Sequence, residues 1–203
     1  MEINKETAWQ LVEEHVADDG LRRHIRAVGA AMRWYAAHLD LDAAAQAYWH
    51  GVGILHDFDW EIHPDLNRHP IKGAEILRAR SVDEETIRII LSHYTEGTGV
   101  EREKPIDFAL LACDEITGLL IATALVRPSR DIREVGVSSV RRKWKNARFA
   151  AGVDRDHVTA VTADFSRVCF GGALTLWEHI ANVLVAMQDA AVELGLDGSL
   201  AEV

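Results

Sequence analysis

The chain is poor in the residues that mark several common protein classes. Only two cysteines, Cys113 and Cys169, occur in 203 residues. That is too few for a disulfide framework and leaves no thiolate set for a structural zinc knuckle, so a reducing, cytoplasmic setting is the expectation. There are four prolines and no block of Pro, Ser or charge that reads as a linker, and a single domain over residues 1–203 is expected. Basic residues are outnumbered, 22 against 32 acidic, giving a formal charge of −10. A nucleic-acid polymer is a poor partner for such a surface, because phosphate backbones are gripped by basic patches. The longest uninterrupted apolar run, Gly118 to Val126, has nine residues, short of a bilayer span, so no membrane association is expected. The opening Met-Glu-Ile-Asn-Lys-Glu is not a signal peptide, and no segment carries the alternating pattern of a half-buried strand.

What is present is helical periodicity, with apolar residues three and four apart almost throughout, and the fold class expected is all-α. After an N-terminal turn, one helix is predicted from Leu21 to Leu39 with His24, Val28, Met32 and Tyr35 on one stripe. A second runs from Leu41 to His56, with Asp57 at its C-terminal end and a loop from Phe58 to Arg68 behind it. His69-Pro70 opens a third, proline suiting a first helical position. Ser81 and Asp83 read as caps of a fourth, whose last turn holds His93 before Gly97 and Gly99 break it. Pro105 begins a helix that carries Asp114 and stops near Arg127-Pro128. A basic stretch from Ser138 and two further helices complete the chain.

Chemistry concentrates in histidines and acids set on apolar faces. Asp114 shares a helical face with Leu110, Leu111 and Ile121, where burying an unpaired carboxylate would cost several kcal/mol, roughly, and so calls for a cation. His24, the pair His56-Asp57, His69 and His93 lie at helix ends or on inward stripes. Imidazole and carboxylate together suit divalent Mn, Fe, Co, Ni, Mg or Zn.

The order His24, then His56-Asp57, then a distant Asp114 resembles the HD superfamily of metal-dependent phosphohydrolases. Gly53-Ile-Leu-His-Asp-Phe-Asp59 looks like the family's core motif. His69-Pro-Ile-Lys-Gly-Ala-Glu-Ile-Leu77 and Ile89-Ile-Leu-Ser-His93 are similar to its second and third histidine helices. The resemblance covers about residues 20–125, with residues 130–203 as a helical extension. Asp114 to Pro128, Ser139 to Lys145 and Phe149 to Arg155 further resemble a group of HD hydrolases of unnamed substrate.

The resemblance implies a single helical bundle of the HD kind with extra C-terminal helices. It also implies one metal held by His24, His56, Asp57 and Asp114, and a second held by His69 and His93 with Asp57 as the bridge. Two metals can clamp the attacking and leaving oxygens of a phosphate ester. The activity implied is hydrolysis of a small phosphorylated metabolite or nucleotide by activated water. His93 is followed by Tyr94, and neither the second histidine nor the Gly-Tyr-Pro motif of cyclic-dinucleotide phosphodiesterases is present, which disfavours that substrate class.

Asp57, Asp59 and Glu96 are the catalytic candidates, Asp59, Glu61 and Glu96 being suited to orienting histidine N–H groups or to acid work. Lys72, Arg142, Lys143 and Lys145 are candidates for a substrate phosphate, a solvated helix face being the plainer reading. His63, between acidic residues, is the alternative to His69 as a ligand. His15, His38, His50, His157 and His179 read as surface or boundary residues, Cys113 as a small buried thiol, and the six tryptophans as core. Two other functions fit the same residues: a di-iron oxygenase on the HD fold, and a non-catalytic module that senses a nucleotide. Apolar faces on the C-terminal helices would suit a homodimer.

Overall fold

The computed structural model describes residues 1–201. It is all-α: ten α-helices and one 3-10 turn, with no strand among the described residues. The chain divides into two compact units, Met1–Leu110 and Leu111–Val203.

The first unit begins with α1 (Lys5–His15), where the sequence suggested only a turn. Its start is fixed by a reciprocal box in which the Thr7 amide donates to Asn4 Oδ1 at 3.0 Å and the Asn4 amide to Thr7 Oγ1 at 3.1 Å. Asn in place of the usual Ser or Thr obscures the signal. Helix α2 (Asp19–His38) is capped by Asp18, which accepts from the Leu21 amide at 2.7 Å. Glu61 extends the cap by accepting from the amides of Ala17 and Asp18 at 2.7 and 2.9 Å, so this candidate for histidine work is occupied with orphan helix donors.

Helix α3 (Ala43–Leu55) packs against both α1 and α2. Its approach to α2 is a backbone contact: a Cβ on Gly53 would meet Gly29 Cα at 2.9 Å. Only a glycine pair permits that crossing, and it fixes where the end of α3 delivers His56 and Asp57 relative to His24, five residues before Gly29 on α2. His50 faces the same contact and is buried, contrary to the surface or boundary position expected for it.

Helices α4 (Ile71–Ala79) and α5 (Glu84–Ser92) pack on one another, and α5 also packs on α3. Pro70 is the residue just before α4 rather than its first member. Asp83 caps α5 through the Thr86 amide at 2.9 Å. Ser81 does not: it sits in the left-handed region at φ 56°, with its carbonyl accepting from the Met1 ammonium at 2.6 Å. The short α6 (Thr95–Thr98) ends on Gly99 at φ 69°. Arg88 of α5 makes a bidentate pair with the buried Asp107 at 2.9 and 3.0 Å. The same carboxylate caps the first turn of α7 by accepting from the amides of Glu103 and Lys104. That network raises the Arg88 pKa and holds Glu85, also paired with Arg88, down to about 2.

Helix α7 (Pro105–Leu125) contains the division between the units. It is long and apolar enough by length and composition to cross a membrane, although 61% of its most apolar stretch is buried, as in the core helix of a soluble protein. The uninterrupted-run reading missed this because Asp107, Asp114 and Glu115 break the run without breaking the helix. In the second unit, α10 (Leu176–Asp189) packs against α8 (Val137–Trp144), α9 (Arg155–Phe170) and the 3-10 turn at Ile132–Glu134. His179 is fully buried there and donates from Nε2 to the Ala112 carbonyl at 2.9 Å. It is a core residue, not a boundary one, and burial lowers its pKa to about 4.

Candidate metal centre

Two histidines owe their positions to helix ends. His56 and His93 are the C-cap residues of α3 and α5, where the last carbonyls lack intrahelical partners. Each ring turns back to take up one of them. His56 Nδ1 donates to the Gly53 carbonyl at 2.8 Å, and His93 Nδ1 to the Ile90 carbonyl. His69, just ahead of α4, is held by a carboxylate instead: its Nδ1 donates to Asp59 Oδ1 at 2.8 Å. Asp59 is itself fully buried and accepts on its other oxygen from the Gly73 amide at 2.9 Å. A Cβ on Gly73 would lie 2.6 Å from the Asp59 carboxyl carbon, so a glycine is needed where α4 passes this side chain.

With Nδ1 committed as donor in three rings, the bare Nε2 of each points inward. They converge on Asp57. Its Oδ2 lies 3.3 Å from His56 Nε2 and 3.6 Å from His24 Nε2. Its Oδ1 lies 3.2 Å from His69 Nε2 and 3.7 Å from His93 Nε2. The nitrogens also pair, His24 with His56 at 3.3 Å and His69 with His93 at 3.1 Å. Lone pairs and a carboxylate brought this close repel one another unless a proton or a cation lies between them.

The spacing suits a cation. Ligands about 2.0–2.2 Å from a divalent ion stand about 2.8–3.6 Å from one another in tetrahedral or octahedral geometry. All of these separations but the longest fall in that range. Each Asp57 oxygen has its own pair of imidazoles, and the donor atoms of each set lie within 4.8 Å of one another, so the residues present fit a divalent ion.

The site's electrostatics agree. Burial works to raise the Asp57 pKa, yet His56, His24 and His69 overcome it and hold the carboxyl well below its usual range. His69 is pushed up to about 9: burial opposes the charge, but its bonds to Asp57 and Asp59 prevail. Without a metal, then, protons supply the positive charge that this cluster needs. His56 is fully buried and His69 3% exposed, whereas Asp57 and His24 show 17% and 20% of their side chains to solvent. Access is therefore from the Asp57 and His24 side. Trp60 packs edge-on to His69 with ring centroids 5.0 Å apart.

Other expected site residues of the first unit are not among the ligand groups. Asp59 is buried and holds His69 Nδ1 and the Gly73 amide, the histidine-orienting role of the two expected for it. Glu96 is exposed on α6. Lys72 is exposed and ion-paired with Glu75 at 2.7 Å. His63 is half-buried, with a buried Nδ1 that lacks a partner, and belongs to neither ligand group. Asp114 lies half-buried on the part of α7 that belongs to the second unit. Arg142, Lys143 and Lys145 are in the second unit too, at the end of α8.

Sequence reading did not find the Gly53 and Ile90 carbonyls or Gly73. A signal for the first two existed: His56 and His93 each follow a predicted helix directly, where a ring can reach back three residues. No protein-family model, curated protein or solved structure matches the chain.

Proposed function

We propose that the chain is a metal-dependent hydrolase of the HD kind, acting on the phosphate ester of a small molecule. The observation that carries this reading is the convergence of four imidazole Nε2 atoms on the two oxygens of Asp57. A bound divalent ion would supply Lewis acidity, making water a nucleophile near neutral pH and offsetting charge on phosphoryl oxygens. His24, His56, His69 and His93 would hold the metal, and Asp57 would join the two halves of the site. Asp59 would keep His69 in the tautomer that presents Nε2. The exposed edge at Asp57 and His24 would admit water and substrate, while the buried edge excludes bulk solvent. No cysteine belongs to either ligand group among the described residues, and a set of imidazole and carboxylate favours hydrolytic ions over a closed structural zinc.

The test is phosphate release from a panel of phosphomonoesters and nucleotides, with manganese, cobalt, nickel or magnesium added, compared with Asp57→Ala. Metal-dependent release that disappears in the variant, with its helical content intact, supports the proposal. Two bound irons with oxygen uptake and no phosphate release would replace it with oxygen chemistry.

A further inference from the structure

The second unit contains a concavity independent of the metal cluster. It is lined by Arg141, Arg142, Trp144, Lys145 and Trp177 and holds about 160 Å³, less than an enclosed small-molecule site, so it is an open cleft that would grip part of a ligand and leave the rest in solvent. Its aromatic wall comes from two helices, Trp144 at the end of α8 and Trp177 in the first turn of α10, with ring centroids 5.7 Å apart at 69°. The Arg141 guanidinium lies over the Trp177 ring, 4.1 Å from its centroid.

The charge here reverses that of the chain. Five of its 22 basic residues fall between 141 and 148, and no Asp or Glu occurs from Val135 to Val153. Several other surface arginines are matched by carboxylates, Arg78 by Glu84, Arg133 by Asp131 and Arg167 by Asp164. Arg142 instead donates to Ser139 Oγ at 3.2 Å. The tryptophans are out of place as well. Of the six in the chain, only Trp49 is buried, so the expectation that they fill the core fails for the rest. Half-exposed indoles beside unmatched guanidinium groups leave apolar rings in water and cations without an anion, and one ligand would relieve both.

We infer that this pocket binds a planar aromatic anion of the nucleoside monophosphate class, its ring against the indoles and its phosphate on Arg141, Arg142 and Lys145. Stacking tolerates any base, so the site reads ring and charge rather than base identity. An arginine already laid on an indole keeps its N–H edge free and loses little freedom when phosphate arrives, because its plane is fixed beforehand.

The test is calorimetric titration of the full chain with AMP, adenosine and inorganic phosphate, following tryptophan fluorescence in parallel. Asp57→Ala serves as background, so that binding at the metal cluster does not contribute. AMP is expected to bind and shift the fluorescence, with adenosine and phosphate each at least about tenfold weaker. Arg142→Glu, an exposed substitution that spares the core, and Arg141→Ala should each weaken AMP by about tenfold or more with the circular dichroism unchanged. Trp177→Phe should retain binding and lose most of the fluorescence response. Failure of AMP to bind at millimolar concentration would overturn the inference. So would phosphate binding as tightly as AMP, or AMP affinity indifferent to Arg142→Glu.

Discussion

Replacing Gly73 by alanine separates the metal-site account from ordinary helix energetics, because the two predict opposite signs. In a helix interior this change normally stabilises by about 1 kcal/mol, since glycine loses more backbone freedom on folding. Here the new Cβ would lie 2.6 Å from the Asp59 carboxyl carbon, where ordinary contact begins at 3.4 Å. The carboxylate must therefore retreat by about 0.8 Å, and its 2.8 Å bond from His69 Nδ1 stretches past hydrogen-bonding length. The Gly73 amide loses the same acceptor. Leaving such buried groups poorly paired costs about 1–3 kcal/mol each, which exceeds the helix gain. Gly73→Ala should thus destabilise the metal-free protein by about 1–5 kcal/mol in urea unfolding. With His69 no longer held in its tautomer, metal affinity measured by chelator competition should fall about 10–100-fold. A variant as stable as the wild type, with undiminished metal affinity, would refute the role given to Asp59.

The remaining predictions concern protons. His179, with a pKa lowered to about 4 by burial, stays neutral in the native state while the unfolded chain takes up its proton below about 6.5. Stability is therefore lost as the pH falls from about 6.5 toward 4, and the loss near pH 5 is about 2 kcal/mol relative to neutral pH. Chemical denaturation of His179→Gln should be flatter over that window, and an identical profile would contradict the assignment. At the metal cluster, His69 is protonated below about 9 without metal and must be neutral to act as a ligand. Metal binding at pH 7 should then release about one proton from this residue, and affinity should climb with pH and level off above about 9. Calorimetry in buffers of different ionisation enthalpy reads the release directly. Asp57 adds nothing to that slope, being already ionised throughout the window.

The helices were legible because their periodicity is local, and so was one cap, Asp83, which accepts from the amide three residues on; the matching caps of Asp18 and Asp42 were not read, and those helix starts came out two residues off. Helix α1 was missed because an Asn–Thr box hides in an otherwise charged start. The drawing together of His24, His56, Asp57, His69 and His93 was anticipated from residue order. Its geometry was not, since it depends on a glycine crossing between α2 and α3 and on two rings folding back onto carbonyls. Those are backbone positions, and residue type does not announce them. For Asp59 the residue order left two roles open, orienting a histidine N–H or acid work; complete burial against His69 and Gly73 agrees with the first. His50 and His179 were read as peripheral for want of a polar partner in sequence, and their burial arises from helix packing.

The most direct test of the central claim is elemental analysis of the purified chain after equilibration with manganese, iron, cobalt, nickel or zinc, alongside Asp57→Ala. The account predicts one or two divalent ions per wild-type chain and loss of that metal in the variant, with helical content preserved. A wild-type chain that binds none of these ions, or an Asp57→Ala chain that binds them as well as the wild type, would contradict it.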